Sequence, residues 1–414
     1  VFSSEMAYQG QGFFKSLVMG MKDLLHGRGT EEQQRIMSQL GVFYEGMCGD
    51  IAARVAGDET PGSMAKAQQL FFKLNGLTWW TDSWRRVAGL MMSHELAQDK
   101  GTAWNGLGAK LRRVLGQYGV GEAEWDVYRQ GRLRAADGRD YLTPETAYDV
   151  PDNVIYDYLV KKGTAPQDVS GTAMQAAREE LGDKLRSYFR DRISYAVLEP
   201  DAKTRSWMRW GTSAGTVPGE ALRFATQFKS FPMAFAQRVL GRERYGRQGD
   251  SKGEVARSLA NLILMTTLFG YGAMTVKDLL KGKTPRDPSK VSSWTAAFVQ
   301  GGGAGIYGDF LFGEYNRFGN SLAASIAGPA AGTLSDMANI FARVRDGDSA
   351  AQATLRFMMN NVPGNGLFYI RGPFDYLIGY QLFEMMNPGY FRRMKRRVEK
   401  ENGQQFYMQP LGVR

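Results

Sequence analysis

Residues 298–310 read FVQGGGAGIYGDF, which contains a complete G-x-G-x-x-G in Gly303, Gly305 and Gly308. Two folds compete for this stretch. In an α/β dinucleotide-binding domain a buried strand precedes the glycines, a helix opens on the third, and a carboxylate for the ribose follows about 20 residues on. Here the preceding VSSWTAAFVQ places Trp294, Phe298 and Val299 at helical, not alternating, spacing. Downstream, where the carboxylate belongs, GNSLAASIAGPAAG has no acidic residue. The fingerprint lacks its context, and the glycines are read as permitting close backbone approach or a sharp turn. Gly301, Gly302, Gly303, Gly305 and Gly308 are expected to form a flexible or closely packed connector between apolar helices. No nucleotide and no other cofactor is expected.

Working outward, the chain reads as helices. Thr30 with Gln33 makes a capping-box start, and Ile36, Leu40, Tyr44, Met47, Ile51 and Val55 follow at steps of three and four. Met64, Ala67, Leu70, Phe71 and Leu74 mark a second helix. A third opens near Asp82 and carries Trp84, Val87, Met91 and His94, and Leu107, Leu111 and Val114 mark a fourth. Turn formers concentrate near 137–153, with Pro144 placed as the first residue of a helix. A long helix then buries Leu181, Leu185, Tyr188 and Phe189, and Pro232 kinks or splits a later one. Alternating β-branched runs are scarce. The expected fold is all-α and multi-helix, elongated or bundle-like, with a Gly-rich, semi-apolar C-terminal region. Its parts are an amphipathic helical region at 1–200, the Gly-rich region at 201–389 and a basic, aromatic tail at 390–414.

The chain has 414 residues, enough for two or three domains with real cores. Its 52 Lys and Arg against 42 Asp and Glu leave a net charge of +10, which favours anionic partners such as nucleic acid or phospholipid head groups. A single cysteine, Cys48, excludes an intramolecular disulfide and any multi-cysteine metal site; it is read as a core residue. The opening VFSSEMAYQGQGFF lacks a charged leader region and cleavage pattern, so no signal peptide is read. The chain is equally compatible with being one part of a longer polypeptide with enzymatic domains upstream.

Two catalytic patterns fail on their own chemistry. GTSAG at 211–215 matches G-x-S-x-G with Ser213 as nucleophile, but that elbow needs a strand before it and a histidine later in the chain. Both histidines, His26 and His94, precede Ser213, which is read as part of an interhelical turn. SHELAQD at 93–99 begins like H-E-x-x-H, yet position 98 is Gln and the second zinc ligand is missing. His94 is read as a half-buried helix residue and His26 as a surface turn residue. Within these residues no catalytic or metal site is expected.

Three stretches carry no charge: Ser258–Val276 (19 residues), Val291–Gly308 (18) and Phe318–Ser335 (18). A membrane span wants about 20 predominantly apolar residues. The first comes close, with Leu262, Ile263, Leu264, Met265, Leu268 and Phe269 at its centre; the others are diluted by Gly, Ser, Asn and Pro329. Because overall mean hydropathy is negative, Ser258–Val276 is expected as a well-buried core helix in the isolated chain, and as the membrane-active element should one exist. At the other end, Arg392, Arg393, Lys395, Arg396, Arg397 and Lys400 cluster beside Tyr390 and Phe391, a pattern that neutralises phosphates of nucleic acid or lipid.

Several phrases resemble internal virion proteins of short-tailed bacteriophages, also called ejection or DNA-transfer proteins. They are WTDSWRR (80–86), YGVGEAEWDVYR (118–129), DGRDYLTPETA (137–147), LEPDAKTRSW (198–207), FATQFKSFPMAFAQRVLGRE (224–243), QGGGAGIYGDFLFG (300–313) and NPGYFRRMKRRVEKENGQQF (387–406). The resemblance spreads over most of residues ~70–410. It implies a protein stored in the virion interior, in the capsid core or tail lumen. Such a protein leaves with or before the genome and helps form a trans-envelope conduit in the host periplasm and inner membrane. Implied partners are other ejection proteins, portal or tail components, phage DNA, host envelope lipids and further copies of itself. The resemblance further implies that a peptidoglycan-cleaving transglycosylase domain, where large members carry one, lies outside this chain. The alternatives are a component of such a lytic transglycosylase protein, or a permanent DNA-associated scaffold inside the capsid.

Overall fold

The computed structural model describes residues 1–25, 30–41, 77–198, 204, 206–207, 210–213, 216–219, 233–241, 251–280, 282–301, 336–346, 354, 357–358 and 374–407. The fold is all-α, with one two-stranded sheet among the described residues. The chain divides into two compact units, Val1–Glu199 and Pro200–Arg414.

In the first unit the helices are α1 (Phe2–Tyr8), α2 (Phe13–Leu25), α3 (Glu31–Gln39), α4 (Leu77–Gln98), α5 (Ala109–Gly116), α6 (Glu122–Tyr128), α7 (Asp152–Lys161) and α8 (Gly171–Ala196). Strands β1 (Arg134–Ala136) and β2 (Arg139–Tyr141) lie between α6 and α7. The core is built on α8. Ser170 caps it, its hydroxyl accepting the Ala173 N–H at 3.2 Å. Leu181, Leu185, Tyr188, Phe189 and Ile193 then fall on one buried stripe, as the spacing predicts, and that stripe packs on α1, α4, α7 and the 3₁₀ turn Pro144–Ala147. Pro144 occupies the first position of that turn, also as predicted.

Two local readings need correction. Thr30 does cap α3, accepting the Gln33 N–H at 3.4 Å, but the helix closes at Gln39 and Gly41 takes φ +73°. A left-handed glycine just past the last turn is a common helix stop, so the stripe does not run unbroken to Val55. Tyr44, Met47, Ile51 and Val55, the second predicted helix, Cys48 and His26 lie outside the described residues. Near 137, a hairpin replaces a plain turn. Asp137 and Gly138 have φ 50° and 70°, the mirror-image turn that matches strand twist, and pair Arg134 with Tyr141. Ser93 of α4 holds this hairpin, its hydroxyl donating to the Leu142 carbonyl at 2.8 Å.

The interior also holds charge. Glu5 is 0% exposed and meets Arg192 of α8 at 3.3 Å. Gln9 donates to the same carboxylate at 2.9 Å, and Tyr188 donates to Gln9 at 2.7 Å. Arg192 donates on to Tyr118 at 2.8 Å and to Asp191 at 3.2 Å, while Tyr118 itself donates to Asp191. Burial alone would lower the Arg192 pKa; Glu5, Tyr118 and Asp191 outweigh it and raise it above the ordinary arginine value. Every charge in the group has a partner, which is what makes such burial tolerable. Replacing Arg192 with Met strands Glu5 in the core and is expected to destabilise the first unit by roughly 3–5 kcal/mol in denaturant unfolding.

A second, half-exposed network forms around Glu124 at the start of α6. Burial alone would raise its pKa, but the Gly121 N–H (3.0 Å) and Lys184 (3.0 Å) hold it at about 2, below the ordinary 4.5. A carboxyl depressed in the folded state contributes fully above its ordinary value and loses that contribution as pH falls through the depressed one. The first unit is therefore expected to weaken between about pH 4.5 and 2. In Glu124→Gln this part of the acid dependence of thermal unfolding should be flatter.

Candidate membrane and anion-binding site

The sequence places its functional candidates beyond residue 250, and the described structure there includes a helical hairpin and, further along the chain, a basic helix. Its long arm is α9 (Lys252–Leu280), 29 residues and about 43 Å long. The start is a capping box: Ser251 N–H donates to Glu254 at 2.9 Å, and the Glu254 N–H donates to the Ser251 hydroxyl at 3.3 Å. The end is a glycine stop. Gly282 has φ +70°, and the Lys283 N–H reaches back to the Asp278 carbonyl at 2.9 Å. The whole charge-free run Ser258–Val276 thus lies in one continuous helix, long and apolar enough to cross a membrane.

The expectation of a well-buried core helix is not met. Only 17% of its most apolar window is buried. Among the six central residues, Leu262 is buried and Met265 half-buried, whereas Ile263 (48%), Leu264, Leu268 and Phe269 (50%) are exposed. Val276, Leu279 and Leu280 continue the exposure to the helix end. Two threonines near the centre of the run turn inward on the backbone: Thr266 and Thr267 both donate to the Ile263 carbonyl, at 3.0 and 2.7 Å. Their hydroxyls are thereby satisfied without water, as an apolar environment requires.

The short arm is α10 (Val291–Gln300), which packs on α9 through Ser293, Ala296 and Ala297. At the crossing the two backbones nearly touch. A Cβ on Gly270 would stand 1.9 Å from the Ala297 carbonyl oxygen, and one on Gly301 would stand 1.8 Å from that of Thr266. Gly301 is thus a close-packing residue at the C-terminal end of α10. Gly302, Gly303, Gly305 and Gly308 lie outside the described residues, as does Phe318–Ser335. Beside the crossing, Tyr271 stacks on Trp294 with centroids 5.1 Å apart. Their polar atoms donate to the connecting loop, Tyr271 to the Arg286 carbonyl (2.6 Å) and Trp294 to that of Pro288 (2.8 Å).

The basic residues form α12 (Tyr390–Asn402), which follows α11 (Tyr380–Met386). Phe391 and Val398 face inward, Phe391 packing on Tyr380 and Phe406. Glu384 caps the helix, accepting the Phe391 and Gly389 N–H groups at 2.9 and 2.6 Å; these bonds hold its carboxyl below the ordinary value. Arg392, Arg393, Lys395, Arg396, Arg397 and Lys400 are all exposed. Arg393 is occupied by the Pro388 carbonyl (3.1 Å) and Asn387, and Arg392 faces Glu384. Lys395, Arg396, Arg397 and Lys400 make no side-chain ion pair within the described residues.

Sequence reasoning missed where this helix is fastened. Residues 402–407 lie along the hairpin loop. Thr284 donates its N–H to the Gln405 carbonyl (2.7 Å) and accepts the Gln405 N–H on its hydroxyl (2.8 Å). Gln404 donates to the Thr284 carbonyl at 2.8 Å, and the Tyr407 N–H to that of Gly282 at 3.1 Å. The Asp287 N–H meets the Asn402 carbonyl at 3.2 Å, and Lys290 that of Lys400 at 3.3 Å. The six α12 cations therefore join Lys283, Arg286 and Lys290 at the loop end of the hairpin. The short polar-aromatic run GQQFY was the only hint in the sequence.

His94 is half-buried on α4, its Nδ1 2.8 Å from the Asp140 carbonyl oxygen. Ser206 and Trp207, before GTSAG, are helical where an elbow needs a strand, and the Ser213 carbonyl accepts the Thr216 hydroxyl at 2.8 Å. Among the described residues no group of three His, Cys, Asp or Glu side chains is placed to hold a metal ion. Pro232 lies outside the described residues.

Gly270→Val is expected to push α10 away from α9, at a cost of about 1–3 kcal/mol or more. Loss of the Tyr271–Trp294 stacking, read as a change in tryptophan emission, would register it, with helical content by circular dichroism nearly unchanged. No protein-family model, curated protein or solved structure matches this chain.

Proposed function

We propose that this chain is a bacteriophage virion ejection protein. It is stored in the particle interior, leaves with or before the genome, and helps form a trans-envelope conduit for DNA in the host periplasm and inner membrane. It acts by assembly and not by turnover, with further copies of itself, other ejection proteins and portal or tail components as partners. Phage DNA and host envelope lipids are the surfaces it meets.

The observation that carries this reading is the uncovered apolar face of α9 within a chain of net charge +10. A permanently soluble scaffold gains nothing from leaving Ile263, Leu264, Leu268 and Phe269 in water. A protein that meets a membrane late in its working life needs such a surface and needs charge to stay soluble beforehand. The resemblance of several sequence phrases to ejection proteins suggests the biological setting. A lone cysteine in the whole chain suits passage through a narrow tail, since no internal disulfide has to be broken.

The test compares intact virions with particles that have released their DNA. The chain is expected in the first and absent from the second, by mass spectrometry of purified particles. Retention in emptied particles would favour the permanent scaffold, and clearing of a peptidoglycan suspension by the purified chain would favour a lytic component.

A further inference from the structure

We propose that the α9–α10 hairpin and α12 form one docking unit for an anionic phospholipid bilayer, with the cations of α12 on head groups at the loop end while the exposed face of α9 meets acyl chains. The inference rests on the reading above in taking a membrane as partner. It adds which lipid class is recognised, by which residues, and which end of the hairpin faces the head groups.

Three independent features converge. The first is the apolar face of α9, whose charge-free run of 19 residues extends about 28 Å, close to the ~30 Å of a hydrocarbon core. The second is position: α12 is fastened by Thr284, Gln404 and Gln405 to the loop that closes the hairpin, so its cations cannot drift from that end. The third is charge. The α12 helix carries six basic against two acidic side chains, Glu399 and Glu401. At the loop, residues 278–290 carry four basic and two acidic side chains, with Asp278 3.6 Å from Arg286 and Asp287 beside Lys290, so the loop adds to the positive charge of α12. Tyr271 and Trp294, with polar atoms toward the loop and rings against each other, suit the boundary between head groups and acyl chains.

Duplex DNA is the other polyanion a basic helix can meet. It would use the cations and leave the apolar face of α9 in water. A bilayer of anionic lipid uses both at once, and electrostatic attraction adds to buried apolar area in surface-binding helices. The juxtaposition of the two surfaces at one end therefore selects lipid.

The full chain is to be sedimented with vesicles of phosphatidylcholine containing about one third phosphatidylglycerol, and with phosphatidylcholine alone. Binding is expected to the first, falling with salt, and to be much weaker for the second. A variant carrying Lys395→Gln, Arg396→Gln, Arg397→Gln and Lys400→Gln should lose about fivefold per cation, at least about 100-fold in all. Arg396→Lys with Arg397→Lys should bind as wild type. Leu264→Ser with Leu268→Ser should weaken binding with every charge intact. Hydrogen exchange on the wild-type chain, which needs no variant to fold, should show vesicle-dependent protection in both 258–276 and 390–402.

Equal binding to the two vesicle types, or a fourfold Gln variant that binds vesicles as wild type while losing duplex DNA, would overturn the proposal. So would protection confined to residues outside these segments. A chain that leaves ejected particles yet ignores vesicles sinks this inference alone. A chain that binds vesicles but stays in emptied particles sinks the ejection reading alone.

Discussion

The second unit turns on a backbone contact. Where α9 crosses α10, Gly270 and Gly301 let carbonyl oxygens come nearer than any Cβ would allow. Small residues at a crossing trade side-chain burial for close van der Waals contact, the arrangement favoured where water gives no hydrophobic drive between helices. The contact also has a consequence of length. A helix of 29 residues is joined by one of 10, and the stripe marked by Leu262, Gly270, Met274 and Asp278 is the part of α9 that is buried. Ile263, Leu264, Leu268 and Phe269 stay exposed.

The first unit solves the opposite problem. Its long helix α8 is polar on average but buries an arginine, and α1 buries a glutamate to match. The pair is tolerable because Gln9, Tyr118, Tyr188 and Asp191 saturate it with hydrogen bonds. Such a network gives α1 a defined seat that apolar contacts alone would specify less sharply. One unit hides charge inside; the other displays apolar surface outside.

Electrostatics then gives the hairpin two unlike ends. The N-terminal end of α9 carries Lys252, Glu254 and Arg257, whereas at its loop end the six α12 cations with Lys283, Arg286 and Lys290 outnumber Asp278, Asp287, Glu399 and Glu401. Glu384, spent on capping α12, adds no free negative charge to that surface. Long exposed cations pay little desolvation where they are and keep their full attraction for phosphate.

Much of the helical architecture was legible in the sequence, because its causes are local. The α8 stripe of Leu181, Leu185, Tyr188 and Phe189, the Thr30 cap, Pro144 at the start of a turn and the uninterrupted run at 258–276 follow from spacing and backbone chemistry. The Asp137–Gly138 hairpin turn was equally local and was passed over among its neighbouring turn formers. Tertiary structure decided what depends on partners far along the chain. The run at 258–276 reads the same whether buried or bare; the shortness of α10 leaves it bare. Nothing in the sequence distinguishes Gly270 from Gly272, where an added Cβ would stand in open space. And the basic run would be a solvated helix end anywhere else; hydrogen bonds from Thr284 to residues more than a hundred positions away set it beside an apolar surface, because pairing of backbone groups carries no sequence signature of its own.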